Sequence, residues 1–333
     1  MGGKRQLAND ILKHVKPKEK APVFADAFMG GGSVSLLAKA KGYQVLSNDS
    51  AYRSEVIGRA LIENDEIKIH KADLMRLTMP IKNDGFVQRK YTPKIFTTKQ
   101  AQFLDNAMAH IAGEKDQTKQ SLLTLLLIKH IIGVRNFGKF THTKDAQELE
   151  ARRFDYPLRT RSHSERNLRH ITHPYEAMRP IAQHINEAIF RNGRENQTFQ
   201  MDAIDFIKSI KADTAYFDPP YADTSSYENE YKVLDEIISD SAEAKTEGKN
   251  PWSDSKTARL EFEKLFKAAK HIPNWLISMG QTNSESGINA KELAEMVKKY
   301  RDCYVVEFEH RWSVGNAGGE KAPKNKEYLI VTK

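Results

Sequence analysis

The sequence predicts an α/β fold, a parallel sheet flanked by helices, split by a mainly helical, basic insertion. Three observations carry this expectation. Short apolar strands alternate with helices near the start of the chain, a long basic stretch with helical spacing follows, and strands resume after it.

Pro22 to Phe28 is a short apolar strand, Ser33 to Lys41 has helical spacing, and Tyr43 to Ser47 is a second strand. Lys68 to Leu74 reads as a third. From Met75 to Gly193 the text is helical and rich in Lys and Arg, with Gln100 to Ala112 and Gln120 to Ile132 as its clearest helices. The α/β pattern returns near Phe199. Thr214 to Phe217 and Trp275 to Ser278 are strands, and Glu261 to Lys270 is a helix. Tyr304 to Phe308 and Tyr328 to Val331 alternate as an antiparallel edge would. The polar stretch Ser239 to Ser255 reads as a flexible excursion. These boundaries give a discontinuous α/β domain, 1–75 with 195–333, around an insertion at 76–194.

Composition narrows the partners. The chain has 333 residues, with 52 Lys and Arg against 44 Asp and Glu, a net charge of +8. Basic surface attracts polyanions such as nucleic acid, although a basic protein without such a partner has the same balance. Phe86 to Gln100, Ile128 to Lys144 and Arg152 to Arg169 concentrate the positive charge, and Phe86, Tyr91, Phe96, Phe137 and Phe140 interleave with it. Cys303 is the single cysteine, which excludes a disulfide framework and a Cys-rich zinc site. Met1 to Lys20 is polar and Lys-rich, unlike a secretory signal. The apolar run Leu122 to Ile132 is too short to span a bilayer. A cytoplasmic, reducing setting is expected.

Two motifs carry chemistry. Phe28-Met29-Gly30-Gly31-Gly32-Ser33 joins a strand to a helix, where glycines let the backbone turn sharply and approach a ligand. Asp49 ends the next strand, where an acid can bind ribose hydroxyls. No Gly-Lys-Ser/Thr follows, and Ser35 and Leu36 stand where a dinucleotide fingerprint needs its third glycine. An adenosine ligand without a pyrophosphate fits best; an ordinary tight turn is the plainer alternative.

The second motif is Asp218-Pro219-Pro220-Tyr221, behind the apolar strand Thr214 to Phe217. Two prolines fix φ and remove two donors, so the loop is stiff and presents acceptors, the Asp218 carboxylate and the Pro219 carbonyl. An aromatic exocyclic amine is a poor nucleophile because its lone pair is delocalised. Two acceptors on its N–H bonds favour a pyramidal nitrogen with a freed lone pair, which can attack a sulfonium methyl in line. Tyr221 offers a stacking face for a base taken out of its duplex. No metal is needed. A helix cap followed by a proline stop is the bland reading of the same residues. His163, His170 and His173 could suggest a metal, but they lack carboxylate or Cys partners and read better as solvated or phosphate-facing side chains.

Together these residues resemble the Dam-like N6-adenine DNA methyltransferases. The resemblance implies a Rossmann-like, S-adenosylmethionine-dependent methyltransferase fold whose insertion recognises the target in double-stranded DNA. Gly3-Lys4 with Leu7 and Ile11 resembles the N-terminal cofactor motif, implying Lys4 beside the methionine portion. Asp26-Ala27-Phe28-Met29-Gly30-Gly31-Gly32-Ser33 resembles the cofactor turn, with Ala27 in place of the usual proline. Asp26, Phe28, Gly30, Gly32 and Ser33 are thereby implied cofactor contacts, with Asp49 on the ribose, Asp202 of Phe199-Gln200-Met201-Asp202 on the adenine, and Asp218 adjoining. Asp218, Pro219, Pro220 and Tyr221 match the catalytic motif. Ile277-Ser278 resembles a strand-end serine at the target pocket, and Arg311 with Lys326-Glu327-Tyr328-Leu329-Ile330 resembles the family's ending. Gly133 to Phe140 is similar to the DNA-contacting hairpin with shortened spacing, which implicates Arg135, Asn136 and Lys139; Arg152 and Arg153 join them by charge.

The expected function is methyl transfer from S-adenosylmethionine to the N6 amine of a flipped-out adenine, in a restriction-modification or phage or bacterial DNA-protection setting, with a cognate restriction enzyme as a possible partner. Cytosine carbon-5 methylation needs a thiolate, and Cys303 has no preceding proline and sits at the start of a predicted strand. An RNA amine methyltransferase and a catalytically silent DNA-binding relative are the standing alternatives. Ala222 to Lys256, with Tyr227 or Tyr231, is a candidate lid over the base.

Overall fold

The computed structural model describes residues 4–81, 85–134, 173–220, 227–239, 251–252, 255–280, 288–311 and 324–333. Its first elements are α1 (Ala8–Leu12), β1 (Val23–Asp26), α2 (Ser33–Ala40), β2 (Gln44–Asn48) and α3 (Tyr52–Gly58). Helices α4 (Lys71–Leu77), α5 (Phe86–Tyr91), α6 (Thr98–Ala112), α7 (Gln117–Val134) and α8 (Pro174–Glu187) follow. Then come β3 (Gln197–Phe199), α9 (Ala203–Ser209), β4 (Thr214–Phe217), α10 (Tyr227–Ile238) and α11 (Ser255–Ala268). Strand β5 (Asn274–Gly280), helix α12 (Ala290–Lys298) and strands β6 (Cys303–Arg311) and β7 (Lys324–Thr332) complete the order. The chain divides into two compact units, Met1–Asp65 with Arg191–Ser225 and Glu247–Lys333, and Glu66–Phe190 with Ser226–Thr246.

The first unit is mixed α/β, built on a seven-stranded sheet in the order β3-β2-β1-β4-β5-β7-β6. The pairings among β3, β2, β1, β4 and β5 are parallel. Strand β7 runs antiparallel between β5 and β6. Parallel strands covered on both faces read as continuous apolar runs, and Thr214–Phe217 is buried at every position. One core cluster joins Ala25, Phe217, Trp275 and Ile277 of the sheet to Phe206, Phe262, Phe266 and Leu293 of the helices. Phe266 stacks on Trp275 with ring centroids 5.6 Å apart, and the indole N–H donates to the Ile272 carbonyl at 2.9 Å. Each such side chain, fully buried, contributes roughly 1.5–3 kcal/mol. Trp252, inside the expected excursion, is buried edge-on to Phe28 and Phe262.

The second unit is helical in its described residues. Helix α7 buries Leu122, Leu123, Leu125, Leu126, Leu127 and Ile128 completely, so it is apolar on every side and central to the unit. Among the described residues no helix is long and apolar enough to cross a membrane. Asp105 of α6 accepts from the Val87 and Gln88 amides at 2.8 and 3.0 Å and so caps α5 from a neighbouring helix. Glu236 of α10 is buried and accepts from the Tyr91 hydroxyl and the Lys90 ammonium. Tyr231, one of the two candidate lid residues, is 4% exposed on α10.

One expected element is corrected. Lys68 to Leu74 does not form a strand; Lys71–Leu77 is helix α4. Its alternation is shallow, and local hydrogen bonding decides. The His70 amide donates to the Asp73 carboxylate at 2.6 Å and closes the first turn. Leu74 and Leu77 then bury on one face, and Lys119 pairs with Asp73 at 2.5 Å.

Candidate active site

Strand β1 lies between β2 and β4, all three parallel, so Asp26, Asp49 and Asp218 close the same edge of the sheet. From β1 the chain steps outward to β2 and β3 on one side, and resumes at β4 and β5 on the other. The order reverses between β1 and β4, and ligands of open α/β sheets bind in the crevice at such a reversal. The glycine turn borders it from β1 and the Asp-Pro-Pro loop from β4.

Gly30 and Gly32 have φ of 52° and 72°, the left-handed region that costs L side chains strain. Gly30 is exposed, and a Cβ there would meet nothing within 4 Å. Ser33 opens α2 directly behind Gly32. The Gly30 amide donates to Asp49 Oδ2 at 2.8 Å, and the Ala51 amide to Asp49 Oδ1 at 2.9 Å. Asp49 therefore braces the turn and starts its own. Asp26 is 1% exposed and accepts from the Ser35 hydroxyl at 2.6 Å and the Phe28 amide at 3.4 Å. Burial pushes its carboxyl up to about 7; the Ser35 hydrogen bond opposes this and the Asp218 charge adds to it. Asp26 thus shapes the turn from beneath. Phe28 is half-buried, its ring edge-on to Trp252 at 5.1 Å.

Asp202 is exposed and caps α9, accepting from the Ile204 and Asp205 amides at 2.8 and 3.2 Å. What holds it beside the crevice is Asn48, which the motif reading passed over. The fully buried Asn48 amide donates to the carbonyls of Ala27 and Met201, both at 3.2 Å, and accepts from the Met201 amide at 3.2 Å. One side chain ties together the ends of β1 and β2 and the loop that carries Asp202. Its signal in the sequence is an amide closing an apolar strand, a place where burial is costly unless backbone partners are satisfied.

Across the crevice, Phe217 and Pro219 are buried and Asp218 is partly exposed. Lys4 Nζ lies 3.0 Å from Asp218 Oδ1 and 2.6 Å from Glu327 Oε1. Burial draws the Lys4 ammonium toward neutrality, but the two carboxylates outweigh it and hold its pKa above the ordinary lysine value. Tyr216 and Ser278 hydrogen-bond at 2.8 Å, both about 1% exposed. Ser278 therefore sits within the sheet rather than at an open strand end. Burial, with the Asp218 charge adding, raises the Tyr216 phenol well above its usual range.

Lys4, Asp26, Phe28, Gly30, Gly32, Ser33, Asp49, Asp202 and Asp218 thus all belong to the unit that carries this crevice. Tyr221, Arg135, Asn136, Lys139, Arg152 and Arg153 lie outside the described residues, as do His163 and His170.

A carboxylate-rich rim suits a ligand with hydroxyl donors and a cationic group, and disfavours a pyrophosphate. With the open space at Gly30, the residues present fit a sulfonium nucleoside. The family model for the D12 class N6 adenine-specific DNA methyltransferases matches residues 1–278. The chain belongs to that family. This D12 methyltransferase is similar to "Type II methyltransferase M2.HphI" of Haemophilus parahaemolyticus, 28% identical over 99% of this chain and 96% of that protein. It is 26% identical to "Modification methylase LlaI" of Lactococcus lactis subsp. lactis, and 24% identical to "Type II methyltransferase M.FokI" of Planomicrobium okeanokoites. It spans 54% and 46% of those two longer proteins. As a D12 methyltransferase it is an adenine-specific DNA-modifying enzyme, and its methyl donor is S-adenosylmethionine. DNA, not RNA, is the substrate class, and the seven-stranded sheet is consistent with a methyltransferase fold.

Proposed function

We propose that the crevice between β1 and β4 is the site of methyl transfer, with Asp218-Pro219-Pro220-Tyr221 receiving a flipped adenine. The observation that carries this is the convergence of the glycine turn, Asp49 and Asp218 at the reversal of strand order between β1 and β4. The bound cofactor supplies an electrophilic methyl group on a sulfonium sulfur. Lys4, Gly30, Gly32, Ser33, Asp49 and Asp202 hold it, with Asp26 and Phe28 forming the floor and wall of the turn. Asp49 offers acceptor lone pairs to ribose hydroxyls, and Asp202 offers its exposed oxygen to the adenine moiety. The Asp218 carboxylate and the Pro219 carbonyl accept the two N–H bonds of the substrate amine. They draw its nitrogen toward a pyramidal geometry and hold the lone pair in line. Tyr221 stacks on the extruded base, whose removal from the duplex costs a few kcal/mol.

We assign target recognition in double-stranded DNA to the helical second unit, with Arg135, Asn136, Lys139, Arg152 and Arg153 as its contacts. The basic runs in that part of the sequence support this. The names of the relatives support a restriction-modification setting, with a cognate restriction enzyme as partner.

Labelled methyl transfer to DNA, with calorimetry of cofactor binding, tests the assignment. Asp218→Ala should abolish transfer and leave cofactor affinity within about threefold, because it removes an interaction made to the reacting amine. Asp49→Ala should weaken cofactor affinity by roughly tenfold, the worth of a charge-assisted hydrogen bond. Equal loss of binding and transfer in Asp218→Ala would remove that residue from the chemistry.

A further inference from the structure

We infer that Asn48 is a positioning residue for the methyl donor: it fixes the spacing between Asp202, at the adenosine end, and the strand that carries Asp218. This rests on the reading of Asp202 given above.

A line of hydrogen bonds crosses the edge of the sheet. The Ala27 amide donates to the Tyr216 carbonyl at 3.1 Å, which ties the end of β1 to β4 two residues before Asp218. The Ala27 carbonyl accepts from the Asn48 side-chain amide at 3.2 Å, and the same NH2 group donates to the Met201 carbonyl at 3.2 Å. The Asn48 side-chain oxygen accepts from the Met201 amide, again at 3.2 Å. The line thus runs from β4 through β1 and β2 to the loop after β3. Its other members are backbone groups; Asn48 supplies the side chain that joins the two halves. Packing alone asks for an apolar residue at this buried strand end, as at Val45 and Leu46 of the same strand. An amide is costly there unless particular partners satisfy it.

The two ends of the line are held differently. Asp218 follows a strand paired on both sides, to β1 and to β5. Asp202 follows β3, a three-residue strand at the edge of the sheet. The first residues of its loop have bonds of their own. The Asp49 amide donates to the Phe199 carbonyl and the Gln200 side chain to the Ser50 carbonyl, both at 3.2 Å. Met201, the neighbour of Asp202, has Asn48 as the partner of both its amide and its carbonyl. Asp202 places both of its helix-capping bonds on Oδ1, and Oδ2 has no partner among the described residues. An exposed carboxylate oxygen on a pinned backbone is a preorganised acceptor. Loss of Asn48 leaves Asp218 in its ladder and takes the pin from Asp202. Affinity for the cofactor then suffers, and the chemical step does not.

Calorimetry of cofactor binding, with single-turnover methylation at saturating cofactor and DNA, tests the inference. Asn48→Ala should raise Kd for S-adenosylmethionine on the order of tenfold, the worth of one hydrogen bond to a charged group. The single-turnover rate constant and KM for DNA should stay within about threefold. In an Asp202→Ala background the same substitution should change cofactor affinity by less than about threefold, because Asn48 acts through Asp202. If Asn48→Ala does not fold, Asn48→Ser carries the same two-background comparison. An unchanged cofactor affinity, an equal loss in both backgrounds, or a rate constant that falls as far as Kd rises overturns the inference. The two readings separate. Wild-type cofactor affinity in Asp202→Ala removes Asp202 from the site, whereas weak binding in Asp202→Ala beside normal binding in Asn48→Ala removes the role of Asn48 alone.

Discussion

At the scale of single residues, the site is a set of carboxylates with different tasks. Asp49 braces the glycine turn through the Gly30 amide. Asp218 shares a lysine. Asp26 is buried beneath both, and its carboxyl is pushed from 3.8 to about 7, chiefly by burial. The folded protein then retains a proton there that the unfolded chain has already released. That proton favours the fold below about pH 4 to 7, and the advantage is lost as pH rises through about 7. The displacement corresponds to roughly 4 kcal/mol. Asp26→Asn cannot titrate. The melting temperature of the wild-type enzyme relative to Asp26→Asn should therefore decline between about pH 5 and pH 8. A difference that stays flat across this range would mean that Asp26 is ionised in the fold throughout.

Residues also show what a sequence can and cannot convey. Asp218 and the glycine turn stand out in the sequence because each lies in a run of particular residue types, and the structure brings both to one edge of the sheet. Asn48 and the linkage of Glu327 to Lys4 do not, because their partners are distant in the chain and only the sheet brings them together. Ser278 was read as a strand-end residue; its partner Tyr216, on the neighbouring strand, is what draws it into the sheet.

At the scale of elements, strands were the easiest to read. The apolar runs of β1, β2, β4 and β5 stand within a few residues of their expected limits, because strands covered on both faces have little choice of composition. Helix α4 was misread as a strand, since capping by Asp73 and pairing with Lys119 outweigh a brief alternation. Close packing between elements was also illegible. A Cβ on Gly85 would stand 1.8 Å from the Asp105 Cγ, the carboxylate that caps α5. Gly85→Ala must displace that cap. It should destabilise the enzyme by about 1–3 kcal/mol in chemical denaturation, the usual cost of overpacking. A wild-type midpoint would show that α5 gives way freely. Asp105→Asn, which keeps the shape and halves the acceptors, should cost less.

At the scale of the whole molecule, two units share one chain. Helix α10 follows the Asp-Pro-Pro loop in sequence, yet it packs with the helical unit through Glu236, Lys90 and Tyr91. Sequence boundaries placed it with the α/β part, since no motif marks where a helix will dock. The net charge of +8 points to phosphate contacts, which release counterions on binding. Replacing Arg153 with Ala should lower the slope of log affinity against log salt by about one. An unchanged slope would leave Arg153 as a solvated surface charge, and the same measurement on Arg135→Ala tests the hairpin separately.

The place of β7 has a consequence for biosynthesis. Lys4 leaves the ribosome long before Glu327, and the ion pair between them joins residues made at opposite stages of synthesis. A polypeptide released before β7 has no carboxylate to share its lysine and ends on an uncovered β5, whose Trp275 to Met279 are buried in the complete protein. Such a product lacks the β7 ladder partner of β5 and the Glu327 side of the ion pair, and an unpaired strand edge is a template for association. The strand order therefore ties the closing of the sheet and the Lys4–Glu327 ion pair to one strand: neither forms until translation has carried the chain past β7.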